Sequence, residues 1–108
     1  LLNYLLSPQL LTLFHKVADQ ISDAILDAYL KQDPNSKVAC ECLITTGQLI
    51  IAGEITSTAS VDAVSIAKEV IRDIGYTNSE YGFDCNNAAY INLLHQQSPL
   101  RREDEKKY

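Results

Sequence analysis

The first half of the chain contains one long stretch of apolar residues at helical spacing. From Lys16 onward, apolar side chains recur three and four positions apart and polar side chains take the opposite face, which predicts an amphipathic helix. We expect the helix to end near Gln32, because residues 33–36 favour a turn and Pro34 disfavours helical backbone in the residue before it. The apolar positions of this helix are Val17, Ile21, Ala24, Ile25 and Ala28.

The next two segments alternate between apolar and polar residues, as half-buried β-strands do. They cover residues 38–45 and 49–56, and Thr46 and Gly47 between them are suited to a hairpin turn, although threonine fits poorly where φ must be positive. A third strand is predicted over residues 87–94.

A second amphipathic helix is predicted between the second and third strands. It covers residues 61–74, after a polar stretch at 57–60 that offers N-caps and before Gly75, a natural helix end. Residues 76–84 are predicted to form a loop. The order α-β-β-α-β predicts an α+β fold, a two-layer sandwich in which two helices cover one face of a mainly antiparallel sheet.

The predicted hairpin contains two carboxylates, Glu41 and Glu54, that could form a binding site. If the turn closes Thr45 against Gln48, Glu41 lies across from Ala52, and Glu41 and Glu54 project from the same face with Cα atoms about 7–8 Å apart. A shift of one residue would put them on opposite faces. They are either acidic residues on a solvated face or a pair that holds a cation or an ammonium group when a partner covers that face.

The charge balance narrows the classes of partner. The 108 residues contain 9 Lys and Arg against 14 Asp and Glu, a net charge of −5, which argues against a nucleic-acid-binding protein and against a polybasic membrane-surface module. The length allows one domain. The sequence contains no methionine, so we expect a processed product or a piece of a longer protein.

The cysteines and the N-terminal segment indicate a compartment. Cys40 and Cys42 share one face of the first strand, and we interpret them as small apolar residues rather than zinc ligands, because no other Cys or His lies nearby at ligand spacing. Three cysteines do not fit a secreted disulfide framework. Residues 1–14 are apolar but too short to span a bilayer, and they lack the features of a signal peptide, which predicts a cytoplasmic protein.

Seven short segments in a fixed order carry a family resemblance. Together they resemble the S-adenosylmethionine synthetase (methionine adenosyltransferase) family over residues 16–99, without obvious gaps. The similarity is to the N-terminal domain, one of three similar α+β domains in a longer chain, and it implies the order β-α-β-β-α-β, of which the first strand has no clear counterpart here. The segments are KVADQISDAILD (16–27), DPNSKVACE (33–41), TTG (45–47), GEIT (53–56), IRDIGY (71–76), YGFD (81–84) and QQSP (96–99).

The resemblance implies an enzyme that joins methionine to ATP. In that reaction the sulfur of methionine attacks the 5′ carbon of ATP, and the tripolyphosphate that leaves is hydrolysed to phosphate and pyrophosphate, with Mg²⁺ and K⁺ as cofactors. By the match of motifs, Glu41 corresponds to a K⁺-linked glutamate and Lys16 to a lysine on the ATP side. Glu54 and Gln97 correspond to residues that contact methionine. The resemblance also implies a homodimer that pairs these sheets and places active sites between its subunits.

The chain departs from the family pattern at both ends. Where the family has G-H-P-D-K, this chain has TLFHK, so Leu13 replaces an ATP-contacting histidine and His15 replaces a Mg²⁺-binding aspartate. Leucine cannot bind a phosphate, and histidine is a poor ligand for Mg²⁺, so we expect the Mg²⁺ site to be lost. His95 matches no residue of known function and is expected at the surface or at a strand end.

The sequence therefore divides into a divergent segment (1–15), a synthetase-like domain (16–99) and a charged tail (100–108). Two functions follow from it. The chain is either a fragment of the synthetase that is inactive alone, or a non-catalytic interaction module that docks its sheet on itself or on a full-length synthetase.

Overall fold

The computed structural model describes residues 8–74 and 87–99, which form two helices on one side of a three-stranded sheet. The α+β class and the order of elements predicted from the sequence are confirmed. The predicted loop at 76–84 and Gly75 lie outside the described residues, and none of the helices within them is long and apolar enough to cross a membrane. The elements are α1 (Pro8–Gln32), β1 (Lys37–Thr45), β2 (Gln48–Thr56), α2 (Ala63–Ile74) and β3 (Ala89–Gln97).

Helix α1 begins at Pro8 rather than at Lys16. Proline suits the first turn of a helix, because its fixed φ is helical and its missing N–H has no partner there. Phe14 lies three positions before Val17 and is buried with it, so the apolar face of the helix continues toward the N-terminus. Much of the divergent segment is therefore helical. The strand that the family order places before α1 is not found in the described part of the chain.

Strands β1 and β2 form the predicted antiparallel hairpin. Thr45 pairs with Gln48, and Glu41 pairs with Ala52, so the register that the sequence analysis made a condition is confirmed. In the turn, Gly47 has a φ of 74° and Thr46 does not have a positive φ. The glycine thus takes the conformation that threonine would fit poorly.

Strand β3 pairs with β2 in parallel, so the sheet is mixed rather than mainly antiparallel, with β2 in the centre. The physical reason is the connection between them, which contains α2, because a strand, a crossover helix and a second strand in one sheet normally run parallel. Strand β3 also covers residues 89–97, later than the predicted 87–94, and this brings His95 and Gln97 into the sheet.

The core lies between the sheet and the two helices. The inward face of β2 is completely covered, and complete burial of a leucine or isoleucine side chain contributes about 1.5–3 kcal/mol. The small buried side chains of Ala63 and Ala67 in α2 let that helix lie close to α1. The central buried residues are Ile21 and Ile25 of α1, Leu49, Ile51 and Ile55 of β2, and Ala63, Ala67 and Ile71 of α2.

Helix α2 begins two residues later than predicted because Asp62 caps it. The Asp62 carboxylate accepts hydrogen bonds from the backbone N–H of Ser65 at 3.2 Å and from its hydroxyl at 2.8 Å. The polar stretch at 57–60, predicted to supply the cap, instead binds the end of α1. Gln32 and Ser60 exchange two hydrogen bonds, from the Gln32 amide to the Ser60 carbonyl at 3.0 Å and from the Ser60 N–H to the Gln32 side chain at 3.1 Å.

Asp33 joins the end of α1 to the segment after β2. Its carboxylate accepts hydrogen bonds from the backbone N–H and the hydroxyl of Thr58, at 3.0 and 3.1 Å, from the Ser57 hydroxyl at 3.3 Å and from the Asn35 N–H at 3.0 Å. The bond from the Thr58 N–H, followed by that from Asn35, lowers the pKa of Asp33 below its ordinary value.

We predict that Gly53→Ala destabilises the fold by about 3 kcal/mol or more. Gly53 has a φ of 148°, which residues with a side chain rarely adopt, and an added Cβ would overlap the carbonyl oxygen of Ala39. Gly47→Ala is the matched control, because Gly47 also has a positive φ but its Cβ would meet no atom within 4 Å, so it should cost only about 1–2 kcal/mol. Urea unfolding followed by circular dichroism measures both, and equal losses would contradict the prediction.

We also predict that Asp33 contributes stability that acid removes. Because its pKa is lowered in the folded state, this contribution is present above the ordinary Asp value of 3.8 and is lost as the pH falls through the lower, folded pKa. Asp33→Asn should therefore flatten the pH dependence of the free energy of unfolding below pH 4. Asp27→Asn, which removes an exposed carboxylate of α1 outside these hydrogen bonds, is the matched control. Equal effects of the two substitutions would show that the hydrogen bonds of Asp33 do not cause the loss of stability in acid.

Candidate functional site

The face of the sheet opposite the helices carries the candidate site, and we call it the open face. Its apolar side chains include Leu43, 56% exposed, and Leu93, 60% exposed. Apolar side chains grouped in this way are typical of a surface that contacts a partner. The open face consists of Lys37, Ala39, Glu41 and Leu43 of β1, Ile50, Ala52, Glu54 and Thr56 of β2, and Ile91, Leu93, His95 and Gln97 of β3.

The register places Glu41 and Glu54 on this face as diagonal neighbours, as the sequence predicted. Glu41 lies opposite Ala52, and Glu54, two residues after Ala52, lies opposite Ala39, two residues before Glu41. Their Cα atoms are thus about 7–8 Å apart. Both side chains are exposed, and neither is buried by a neighbouring element of this chain.

Glu54 forms a hydrogen-bonding contact with His95, a residue to which the sequence analysis assigned no role. The His95 Nδ1 atom lies 3.3 Å from Glu54 Oε2, and the two residues are directly opposite each other in the β2–β3 register. Their side chains are 75% and 72% exposed, so the pair contributes little stability in water. The alternation of β3, continued to residue 97, would have placed His95 on the same face as Gln97, but its position beside Glu54 depends on the β2–β3 register.

Glu54 and Gln97 line the same depression at the end of the sheet, with a volume of about 440 Å³. Both were assigned to methionine by the resemblance alone, and here they come from different strands. Lys37 also lines it, and the sequence analysis missed this residue. The sequence could have placed Lys37 on the same face as Glu41, because side chains four residues apart in a strand share a face. The depression is lined by Lys37, Val38, Ala39, Glu54, Thr56 and Gln97.

Adjacent glutamines at the end of β3 have different surroundings. The side-chain amide of Gln96 donates to the Ala59 carbonyl at 2.8 Å and to the Ser57 carbonyl at 3.2 Å, and its oxygen accepts from the buried Tyr29 hydroxyl at 3.0 Å. Burial raises the pKa of that tyrosine. Gln96 therefore anchors the strand, and alternation directs Gln97 to the open face.

The remaining predicted site residues lie elsewhere. Glu41 is on the open face but does not line the depression, and Lys16 is exposed on α1, which covers the opposite side of the sheet. Leu13 packs against the core, and His15 is exposed. Within residues 8–74 and 87–99, no group of three or more His, Cys, Asp or Glu side chains is arranged to hold a metal ion.

Cys40 and Cys42 lie on the helix side of β1, half-buried against the core, as the apolar interpretation predicted. A hydrogen bond from the Cys40 thiol, together with one from Ser22 of α1, outweighs burial and lowers the pKa of Cys42 to about 7. The same bond, with burial, raises the pKa of Cys40. The pair therefore has one thiol that ionises easily and one that does not.

Comparison with known proteins assigns the chain to a family. The sequence model of the S-adenosylmethionine synthetase N-terminal domain matches residues 14–99. This chain belongs to the S-adenosylmethionine synthetase family. The family resemblance stated from the sequence is thereby confirmed.

Individual synthetases show how much of the family's length this chain spans. The S-adenosylmethionine synthase of Cytophaga hutchinsonii is 58% identical over 83 residues, which are 77% of this chain and 20% of that protein. Those of Chlorobium phaeobacteroides and Bacteroides thetaiotaomicron are 54% and 57% identical over 84 residues, 78% of this chain and 21% and 20% of theirs. The chain spans about a fifth of the length of the curated relatives it matches.

We predict that the two strand cysteines of this synthetase domain titrate separately. Cys85 lies outside the described residues, so a Cys85→Ser background leaves only the strand pair. In that background, thiolate absorbance at 240 nm should rise with a midpoint at about pH 7, from Cys42, while Cys40 stays protonated well above pH 9. Cys40→Ala removes the donated hydrogen bond and should raise the Cys42 midpoint toward the ordinary value of 9.0. A single transition of both thiols near pH 9 would contradict this.

Proposed function

We propose that this chain is the N-terminal domain, or a fragment carrying it, of a methionine adenosyltransferase, which forms S-adenosylmethionine from ATP and L-methionine. The observation that carries the proposal is the shared depression, because the two residues matched to methionine contacts, Glu54 and Gln97, line it together. We take the domain to be residues 16–99, with residues 1–15 and 100–108 flanking it.

The proposed role of the depression is to hold methionine for attack on ATP. The Glu54 carboxylate suits the substrate ammonium, since a charged hydrogen bond between the two groups is strong and directional. The Gln97 amide offers both a donor and an acceptor. Holding the nucleophile in one orientation is the main contribution that such a site makes to a displacement reaction.

The cation sites are only partly represented in the described residues. Glu41 could supply one carboxylate to a K⁺ site, and an oxygen ligand of this kind suits that ion. Mg²⁺ does not fit, because Leu13 has no ligand atom and His15 offers nitrogen where Mg²⁺ prefers oxygen. We therefore assign no Mg²⁺ ligand to this part of the chain. Lys16, exposed on α1, is proposed to face the ATP side.

A homodimer formed through the open face completes the proposal. The exposed apolar side chains of Leu43, Ile91 and Leu93 are suited to a contact with a second sheet. Burial of Glu41 and Glu54 in such a contact would require positive partners, which a cation and the substrate ammonium supply. The site would then lie between subunits. Since the chain spans a fifth of its relatives' length, we expect it to be inactive alone.

The alternative is a non-catalytic module that docks its open face on itself or on a full-length synthetase. One observation favours it. Residues 13–15, which correspond to the family's ATP- and Mg²⁺-binding motif, continue helix α1, with Leu13 packed against the core. A chain that keeps the sheet face and lacks this motif could still associate without catalysing.

Grafting separates these functions. We predict that residues 16–99, placed in the Cytophaga hutchinsonii synthase in place of the matching segment, give an enzyme that still makes S-adenosylmethionine. Glu54→Gln in this graft should lower kcat/KM for methionine at least about 30-fold, because it removes the charge that pairs with the ammonium. Glu69→Gln, an exposed change on α2, is the matched control and should have no effect.

A longer graft of residues 13–99 tests the departure at the N-terminus. We expect it to fold and to lose S-adenosylmethionine synthesis, as the isolated chain does with ATP, methionine, Mg²⁺ and K⁺. A folded but inactive 16–99 graft would contradict the enzymatic proposal. Sedimentation at micromolar concentration tests association, and a strictly monomeric chain without affinity for the full-length synthase would contradict the module.

A further inference from the structure

The depression on the open face contains a positive charge that the family match does not explain. Lys37 is the first residue of β1, and it lines this depression together with Glu54 and Gln97. The match of motifs gave roles to the glutamate and the glutamine only. The lysine is exposed, and its side chain therefore has the freedom to reach a bound molecule.

The register defines how these groups surround the depression. Lys37 lies opposite Thr56, whose other neighbour in the sheet is Gln97. Glu54 lies two residues before Thr56 on β2, so Lys37 and Glu54 are diagonal neighbours with Cα atoms about 7–8 Å apart. The two strands thus present an ammonium and a carboxylate to one volume of about 440 Å³.

These opposite charges do not neutralise each other. Among residues 8–74 and 87–99, the basic side chain that Glu54 contacts is His95, through Oε2 at 3.3 Å, on the side away from β1. No ion pair joins Lys37 to Glu54 in this part of the chain. The arrangement therefore leaves a positive and a negative side chain that line the same depression.

A free α-amino acid carries the complementary pair of charges. Its ammonium and its carboxylate are attached to the same carbon, so one molecule can contact a carboxylate on one side and an ammonium on the other. A lysine head provides three donors to a carboxylate, and a glutamate accepts from an ammonium. An amine without the carboxylate, or an acid without the ammonium, would satisfy only one of the two groups.

We propose that Lys37 binds the α-carboxylate of the amino acid whose ammonium Glu54 holds, so that the depression selects a zwitterion. The inference rests on the proposed function for the identity of that amino acid as methionine. Lys37 is a binding residue that determines specificity. It discriminates methionine from its amine and acid analogues.

Titrations of the full 108-residue chain test this, with amide chemical shifts read by NMR. The ligands are L-methionine, L-methioninol, which lacks the carboxylate, and 4-(methylthio)butanoate, which lacks the ammonium. We expect methionine to bind about tenfold more tightly than methioninol, with the shifts centred on β1 and the ends of β2 and β3. Lys37→Gln should lower the affinity for methionine about tenfold and leave methioninol unchanged. Lys37→Arg should keep the affinity within about threefold, and Lys31→Gln on α1 is the matched control.

Three results would overturn the inference. Lys37→Gln could leave the affinity for methionine unchanged, Lys37→Gln could weaken the binding of methionine and methioninol equally, or none of the three ligands could bind saturably. The proposed function is judged separately, by Glu54→Gln in these titrations and by S-adenosylmethionine synthesis in the 16–99 graft. An active graft with an unaffected Lys37→Gln chain would reject the lysine alone. An effect of Lys37→Gln without one of Glu54→Gln would instead reject the glutamate's role.

Discussion

The hydrophobic core and the open face both depend on the alternation of side chains along strand β2. Leu49, Ile51 and Ile55 are completely covered by the helices, so the residues between them must face the other way. A shift of one residue would move Glu54 into the core and expose the isoleucines, which would leave a buried charge without a partner. The packing of the core thereby decides on which side of the sheet the proposed methionine-binding carboxylate lies.

The depression depends on a second set of contacts, at the end of the sheet. The backbone N–H of Ser57 donates to the Gln97 carbonyl at 3.1 Å, and Gln96 is anchored beneath by Tyr29. Asp33 then joins the Ser57 segment to the end of α1. Because these bonds hold the ends of β2 and β3 together, the backbone positions that carry Glu54 and Gln97 keep a fixed relation, which a binding site requires.

Residues 13–15 of helix α1 differ in character from the open face. Helix α1 continues through residues 13–15, and the packing of Leu13 against the core stabilises the helix there. The open face carries the carboxylates proposed to pair with the substrate ammonium and with K⁺, whereas residues 13–15 have leucine and histidine where the family resemblance implies ATP- and Mg²⁺-binding groups. An enzyme fragment and a docking module would both use the carboxylates of the open face. The replaced residues 13–15 would prevent catalysis by the first and would not affect association of the second.

Local pattern was sufficient for the order of the elements and for the α+β class, because these depend on alternation and on turn residues close in sequence. The hairpin register followed from the sequence only on the condition that the turn closes Thr45 against Gln48, and the structure met that condition. The motifs were sufficient for the family, through the match that covers residues 14–99. The parallel pairing of β3, the His95–Glu54 contact and the presence of Lys37 beside Glu54 and Gln97 were decided only by the tertiary structure. Each joins residues from different strands, and their proximity depends on how the strands align once the helices cover one face, which no local pattern specifies.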